Sequence, residues 1–239
     1  MNRYEHIKNW RLYAANDLAM EAGHFFISVT TILDCMIDDE ERNFYIETNR
    51  EAFDKIMSST ANTGNEIHEA IQTYASGNSI NHSPIVAKCV NNYVEIKEEH
   101  NIKIEQFEKR VFSEIYGYAG TLDMIGTCDG RPTVFEIKTG KYKVKAGYQA
   151  CAYKMAYEEL YKDKDHDVAV LKIHRNGREK GLFKYEHIDF CFEAFICAFN
   201  LFVGLNYNTL KKLNWKYLNI SPIKRYINQL NKKENKNEV

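Results

Sequence analysis

The chain has 239 residues, of which 44% are apolar and 27% are charged, and its formal net charge is −1. This composition is typical of a soluble globular protein and excludes an intrinsically disordered chain. The near-zero net charge also excludes binding to nucleic acid through a large overall positive field, so any such function must depend on a local basic cluster.

Two features bear on where the protein works. Its longest apolar stretch, residues 190–203, spans about 14 residues, whereas a bilayer-spanning helix needs ~20, so it predicts a buried core helix. The first residues lack the basic-then-apolar order of a signal peptide. We therefore expect a cytoplasmic protein (in the host cytoplasm if a phage encodes it) that has no membrane partner.

Six cysteines are scattered through the chain, and no two of them form a Cys-x-x-Cys pair. They are Cys35, Cys89, Cys128, Cys151, Cys191 and Cys197. In a cytosolic protein this spacing predicts reduced, partly buried thiols rather than disulfides or a zinc or iron–sulfur site.

The first sixty residues are predicted to be mostly helical. The exception is the β-branched segment 25–33, which suits either a short strand or the start of a helix. A clearer helix follows, with Thr63 as N-cap, Glu66 as its capping-box partner and Gly77 at its end. Another helix is predicted at about residues 84–99. The buried stripe of the first of these helices comprises Ile67, Ala70, Ile71 and Tyr74.

The pattern changes between about residues 104 and 138, where aromatic and β-branched residues replace the helical spacing. Two strands are predicted at residues 108–112 and 114–127, and another at residues 133–138. Asp129-Gly130, which lies between two apolar runs, is a strong signal for a β-hairpin.

The segments after this hairpin predict a crossover. Residues 145–161 have helical spacing and residues 167–174 read as a strand, so at least one pair of strands must be parallel. The predicted fold class is α/β, with a mixed central sheet flanked by helices and a helical N-terminal part. A single domain is predicted for residues 1–227, with a flexible tail at residues 228–239. Its parts are a helical region at about 1–100, a core at about 101–180 and C-terminal helices at about 186–227.

Three charged residues on the predicted hairpin have apolar neighbours. If Asp129-Gly130 forms a two-residue loop, Asp123 lies directly opposite Glu136, with their Cβ atoms about 4.5–5.5 Å apart. Lys138 shares that face because side chains alternate along a strand. A four-residue loop would instead place Asp123 opposite Lys138, and a three-residue loop with a bulge would break the pairing.

Two carboxylates that face each other in a partly buried sheet repel, and each resists losing its water. A cation between them removes this cost, and Mg²⁺ or Mn²⁺ prefers such oxygen ligands. A lysine beside the ion can orient a water molecule and stabilise the negative charge that develops on a phosphate. The carbonyl of Ile137 is a further candidate ligand. The alternative is that Lys138 simply pairs with one of the carboxylates.

Five segments carry a family resemblance. Residues 118–123 read Tyr-Ala-Gly-Thr-Leu-Asp, and residues 136–141 read Glu-Ile-Lys-Thr-Gly-Lys. Residues 28–33 read Ser-Val-Thr-Thr-Ile-Leu, residues 64–68 read Gly-Asn-Glu-Ile-His, and residues 149–153 read Gln-Ala-Cys-Ala-Tyr. In their order along the chain, from residue 28 to residue 153, they resemble the motifs of the PD-(D/E)xK nuclease superfamily, in its RecB-type branch of phage and mitochondrial-genome-maintenance-like exonucleases. The resemblance implies a restriction-endonuclease-like core.

The resemblance also implies catalytic and metal-binding roles. Asp123, Glu136 and Lys138 would be the catalytic residues. His68, Asp123, Glu136 and the backbone carbonyl of Ile137 would be the metal ligands. Without the resemblance, a half-buried position on the apolar side of its helix would be the favoured interpretation of His68.

Other residues are assigned by the same resemblance. An acidic residue of the first strand would assist the site, and Glu108 and Glu114 are alternatives for that role. Tyr153 is assigned to DNA, although helix–sheet packing would also explain it. The full set of predicted DNA-binding residues is Ser28, Thr30, Thr139, Lys141, Lys143, Lys145, Gln149 and Tyr153.

The predicted function is that of a stand-alone deoxyribonuclease that depends on Mg²⁺ or Mn²⁺ and degrades DNA from free, single-stranded ends. Many RecB-type relatives hold an iron–sulfur cluster with a late Cys-x-x-Cys pair; Cys191 and Cys197 lack that spacing, so no cluster is predicted. The alternatives are an endonuclease or CRISPR-adaptation-type nuclease of the same fold, and a catalytically silent relative that binds DNA or a protein. The sequence predicts no particular protein partner.

Overall fold

One mixed β-sheet runs through the part of the chain that the computed structural model describes, residues 2–6, 10–36, 50–78, 82–140, 144–163 and 165–237. The described strands are β1 (Asn2–His6), β2 (Trp10–Ala14), β3 (Phe25–Ser28), β4 (Lys103–Ser113), β5 (Tyr118–Cys128), β6 (Arg131–Lys138), β7 (Asp167–Ile173) and β8 (Lys180–Lys184). They lie in the order β1-β2-β3-β5-β6-β7-β8, and β4 pairs with the other edge of β5. The β3–β5 and β6–β7 pairs are parallel, so the predicted α/β class with a mixed sheet is confirmed.

Helices cover both faces of this sheet. The described ones are α1 (Asp17–Glu21), α2 (Val29–Leu33), α3 (Arg50–Ala75), α4 (Pro84–Glu99), α5 (Lys145–Tyr161), α6 (Ile188–Leu205), α7 (Tyr207–Lys212) and α8 (Pro222–Asn237). The predicted boundaries of α4 and α5 are confirmed. α8 extends to Asn237, whereas the sequence predicts a flexible tail from residue 228.

Two buried apolar clusters lie on opposite faces of the sheet. On one face α5 and α6 pack against the strands, and Tyr118, Val134 and Phe195 belong to this cluster. On the other face α3 and α4 pack against β5, β6 and β7, and Ile67 and Phe135 belong to that cluster. Because both faces of β6 are covered over its buried middle, the carboxylate of Glu136 is removed from water at a cost of several kcal/mol unless it finds a partner.

The predicted two-residue hairpin is confirmed, but the predicted pairing of Asp123 with Glu136 is not observed, because the β5–β6 register ends at Met124–Phe135. Cys128 pairs with Arg131 and Met124 with Phe135, as the two-residue Asp129-Gly130 loop requires. Both loop residues have positive φ, 51° and 84°, which is the conformation of a type I′ turn. The parallel β6–β7 pair that the crossover implies is confirmed as well, from Thr133–Asp167 to Lys138–Lys172.

The N-terminal region differs from the prediction of a mostly helical segment. β1 and β2 form an antiparallel pair, and β3 joins β2 to β5. The segment 25–33 adopts both of the predicted alternatives, as β3 followed directly by α2. The cause is tertiary. β3 forms backbone hydrogen bonds with β5, which lies far away in the sequence, and a local sequence pattern does not indicate such pairing.

The start of α3 also differs from the prediction. The helix begins at Arg50, so Thr63 is not its N-cap but an internal residue whose hydroxyl donates to the Ser59 carbonyl at 3.1 Å. Gly77 follows the helix with φ 79°, as predicted for its end. Tyr74 is 43% exposed and lies outside the buried stripe that Ile67, Ala70 and Ile71 form.

The predicted core helix corresponds to α6. Among the described residues it is the one helix long and apolar enough to cross a membrane by length and composition. Its side chains nevertheless line the core, because Phe192, Phe195, Phe199 and Phe202 are all at most 3% exposed. The prediction of a core helix is therefore confirmed.

Candidate metal centre

The site lies where β5 changes partners. β5 bonds to β3 through Tyr118 and Ala119, and to β6 only from Met124 onward. Between these stretches no strand among the described residues pairs with this edge of β5, and Asp123 lies in this gap. A side-chain hydrogen bond replaces the strand-to-strand bonds there: Asp123 Oδ2 accepts a hydrogen bond from the Ile137 N–H on β6 at 2.7 Å.

In both β5 and its neighbour β4, the alternation of side chains between the two faces of the sheet reverses at the level of Asp123. Leu122 and Ile125 belong to the same buried cluster although they are three residues apart, while Met124 belongs to the opposite one. In a regular strand, residues three apart point to opposite faces. The neighbouring β4 reverses at Glu108, which has φ 47° and lies in register with Asp123. A left-handed conformation is uncommon for glutamate, and here the Glu108 carboxylate lies near His68 and Asp123.

Three donor atoms meet at this point. One ligand atom each from His68, Glu108 and Asp123 lies within 4.8 Å of the others. His68 comes from α3 and its Nδ1 lies 3.7 Å from Asp123 Oδ1. The backbone of Ile137 partly opposes the lowering of the His68 pKa by burial, and both residues line the same cleft, so the predicted backbone ligand lies near this histidine.

A second polar chain reaches the site from the face covered by α5. The ammonium group of Lys138 donates to Glu136 Oε1 at 2.6 Å and to Gln149 Oε1 at 3.0 Å. Gln149 Nε2 in turn donates to the Tyr153 hydroxyl at 3.2 Å, since the two residues are one helical turn apart. Glu136 is 2% exposed, and its Oε2 has no hydrogen-bond partner among the described residues.

The ionisable groups are perturbed in the directions that burial dictates. Burial, and for Glu136 the nearby Asp123, raises the pKa of both Asp123 and Glu136 to about 7. Burial lowers the pKa of His68, which favours the neutral imidazole. Burial also works against the charged form of Lys138, but the carboxylates of Glu136 and Asp123 outweigh it and raise the Lys138 pKa. Asp123 and Glu136 are buried acids that repel each other, and when both are ionised the single positive charge of Lys138 does not balance them.

Of the site residues, His68, Lys138 and Gln149 line a cleft of about 390 Å³, whereas Glu108, Asp123 and Glu136 are not among its lining residues. Its lining residues come from α2, α3, the end of β6 and the start of α5. They are Thr30, Leu33, Asp34, Thr60, Ala61, Gly64, Asn65, His68, Ile137, Lys138, Thr139, Gly140, Lys145, Ala146 and Gln149. The cleft thus brings together segments that are more than a hundred residues apart in the sequence.

The structure separates the two alternatives for the acidic first-strand residue. Glu108 lies with His68 and Asp123, as described above. Glu114 lies at the other end of β4, where it accepts hydrogen bonds from the Tyr217 hydroxyl at 2.7 Å and from Lys216 Nζ at 3.1 Å. Of the two alternatives, Glu108 therefore lies near the site and Glu114 does not, while the role of this acid stays a prediction.

The predicted DNA-binding residues are distributed unevenly. Thr30, Thr139, Lys145 and Gln149 line the cleft. Ser28 is 2% exposed and its hydroxyl lies 2.7 Å from that of Thr30, so a direct contact to a ligand is not expected of Ser28. Tyr153 is 3% exposed and packs under β5, in agreement with the packing alternative. The predicted residues Lys141 and Lys143 lie outside the described residues.

Two glycines explain parts of the motifs that the sequence alone could not. A Cβ on Gly64 would lie 3.0 Å from the Thr139 hydroxyl, so this glycine lets α3 approach the end of β6 and brings His68 to the site. A Cβ on Gly120 would lie 2.4 Å from the Tyr153 ring, so this glycine lets α5 approach β5. Sequence reasoning missed both contacts, and also the reversal at Glu108, because no residue type at these positions signals a long-range approach.

Replacing Gly120 with alanine is expected to displace the Tyr153 ring and destabilise the protein by about 1–3 kcal/mol, since overpacking of a filled core costs that much. The shift should also weaken the Gln149–Tyr153 hydrogen bond and so lower any activity that depends on Lys138. Thermal unfolding measures the first effect. Gly204→Ala is the control, because its Cβ meets no atom within 4 Å and a helical alanine is expected to stabilise by about 0.5–1 kcal/mol. Equal stabilities for the two variants would contradict the prediction.

In comparisons with known proteins, no family model and no curated protein matches the chain. The family resemblance is therefore still a prediction, and the function has to be argued from the motifs and from the geometry of the site.

Proposed function

We propose that this protein is a deoxyribonuclease that depends on Mg²⁺ or Mn²⁺ and hydrolyses phosphodiester bonds from free, single-stranded DNA ends. The observation that supports the proposal is the meeting of His68, Glu108 and Asp123 at one point beside the buried Glu136–Lys138 pair. The motif order of the sequence supports the choice of an exonuclease within this class of enzyme.

The residues present fit a divalent cation. Asp123, Glu136, Glu108 and the Ile137 carbonyl offer oxygen ligands, which Mg²⁺ and Mn²⁺ prefer, and a neutral His68 offers a nitrogen. The strongest support for a bound cation is the Oε2 atom of the buried Glu136, which has no hydrogen-bond partner among the described residues. Burying such an atom without a partner destabilises a fold by about 1–3 kcal/mol. When bound, such an ion supplies polarisation of a phosphate oxygen and a more acidic water molecule.

The chain's own residues then divide the remaining work. Lys138 stays protonated because of its two carboxylate neighbours, so its ammonium group can stabilise the negative charge that grows on the phosphate. Gln149 holds that ammonium group in place, and Tyr153 holds Gln149. These last two are positioning residues, since neither is required to touch the reacting atoms.

The test is to incubate the protein with linear and circular DNA, each single- and double-stranded, in Mg²⁺, Mn²⁺ or EDTA. We expect metal-dependent degradation of linear DNA, strongest for single strands, and loss of activity in Lys138→Ala and Asp123→Ala. Lys154→Ala is the matched control, because Lys154 lies on α5 but pairs with Glu158 at 2.9 Å, away from the site. Cleavage of circles would identify an endonuclease with the same active-site residues. If no DNA is cleaved, or if both active-site variants keep full activity, the proposal fails.

A further inference from the structure

A second groove adjoins the cleft and has a different chemical character. We call it the side groove; it has a volume of about 330 Å³ and is lined by Lys55, Ile56, Ser59, Thr60, Thr63 and Arg175. Thr60 lines the cleft as well, so the two depressions are continuous. None of the described residues that line the side groove is acidic. It combines two cations with three hydroxyl groups, which is the set that binds phosphate oxygens.

One face of α3 connects the candidate metal centre to the side groove. Ile56, Thr60, Gly64 and His68 follow one another at intervals of four residues, and the first two line the side groove while the last two line the cleft. Residues four apart share one face of a helix. The distance along the helix from Ile56 to His68 is about 18 Å at 1.5 Å per residue, which is enough for several consecutive phosphates.

The position of Arg175 is fixed relative to the site. Its backbone N–H donates to the Thr139 carbonyl at 2.8 Å, so the turn between β7 and β8 starts beside the residue that follows Lys138. A hydrogen bond from α4 fixes this turn, because Asn92 Nδ2 donates to the Gly177 carbonyl at 3.2 Å. Arg175 therefore extends from a rigid part of the scaffold rather than from a free loop.

We propose that the side groove binds the phosphate backbone of a nucleic-acid strand whose cleaved phosphate lies at the candidate metal centre. The strand crosses Thr60 and Thr139 and passes between Lys55 on α3 and Arg175 on the opposite wall. The placement of the cleaved phosphate at the candidate metal centre rests on the proposed nuclease function. Binding in the side groove itself requires neither metal nor cleavage.

The test measures binding without chemistry. A fluorescein-labelled thymidine homopolymer of about 20 nucleotides is titrated in EDTA at several KCl concentrations between about 50 and 200 mM, and binding is followed by anisotropy. Each lost phosphate contact should reduce the slope of log affinity against log salt by about 0.7 for a single strand. We therefore expect a slope shallower by about 0.7 for Lys55→Ala or Arg175→Ala and by about 1.4 for the double variant.

Two further variants separate charge from structure. Arg178→Ala removes an exposed cation from the same turn that does not line the groove, and it should keep the wild-type slope. Arg175→Lys keeps the charge and should restore most of the slope that Arg175→Ala loses. An unchanged slope in the double variant, or an equal loss in Arg178→Ala, overturns the proposal.

The same variants distinguish this proposal from the nuclease proposal. If wild-type protein cleaves DNA in Mg²⁺ while the double variant keeps its salt slope, only the side groove is refuted. If the slope falls as expected but no metal supports cleavage, the groove binds nucleic acid and the nuclease proposal is the one that fails.

Discussion

Replacing Lys138 with methionine is expected to lower the rate of DNA cleavage by about 10²–10³-fold, which is the usual loss when one group that stabilises transition-state charge is removed. Methionine keeps much of the side-chain volume but has no positive charge and no hydrogen-bond donor. The ammonium group it replaces is held between Glu136 Oε1 and Gln149 Oε1, which fixes the position of its charge in the site.

Single-turnover cleavage at saturating Mg²⁺ measures this loss without interference from product release. Stabilisation of the variant by Mg²⁺ should persist, because Lys138 is not a predicted ligand and its removal leaves Glu136 free to bind a cation. Lys154→Met, on α5 and paired with Glu158, serves as the control and should retain the wild-type rate. A Lys138→Met protein that keeps more than about a tenth of the rate would show that the lysine has only a structural role.

Replacing Asp123 with asparagine is expected to stabilise the metal-free protein at about pH 8, by about 2–4 kcal/mol, while abolishing its stabilisation by Mg²⁺ or Mn²⁺. The Asp123 pKa lies at about 7 in the folded protein because of burial, well above the ordinary value of an aspartate. An acid with a raised folded-state pKa stabilises the fold below its unfolded-state pKa, and this contribution is lost as pH rises through about 7. Asparagine has no such charge, and its side-chain oxygen can still accept the hydrogen bond from Ile137.

Thermal unfolding between about pH 5 and pH 8, in EDTA and in excess Mg²⁺, tests this prediction. Wild-type protein should lose stability in EDTA as pH rises, and Mg²⁺ should restore it most at high pH, where cation and proton no longer compete. Asp129→Asn provides a matched control, because Asp129 is an exposed hairpin residue whose pKa is lowered by its bond to Lys184. That variant should gain nothing in EDTA and respond to Mg²⁺ like wild type. Destabilisation of Asp123→Asn in EDTA, with a full response to Mg²⁺, would refute the assignment.

The sequence by itself determined the local parts of the fold and the core of the candidate site. Asp129-Gly130 specifies a tight turn because both positions tolerate positive φ, and the turn then fixes the register of β5 and β6. The alternation of a strand places Glu136 and Lys138 on one face, where the structure finds them bonded. The helical spacing after β6 predicts α5, and a helix between two strands predicts their parallel pairing. Each of these inferences depends on interactions between residues close in sequence.

Only the tertiary structure decided the rest. The first strands could not be told from helices because their identity depends on the pairing of β3 with β5, about ninety residues later in the chain. The same holds for the reversal at Glu108, because glutamate has no preference for positive φ that a sequence pattern could reveal. The approach of His68 and the side groove at Arg175 require α3 and the turn after β7 to meet the end of β6. Such meetings are fixed by long-range packing, which a sequence pattern with a period of two or four residues cannot encode.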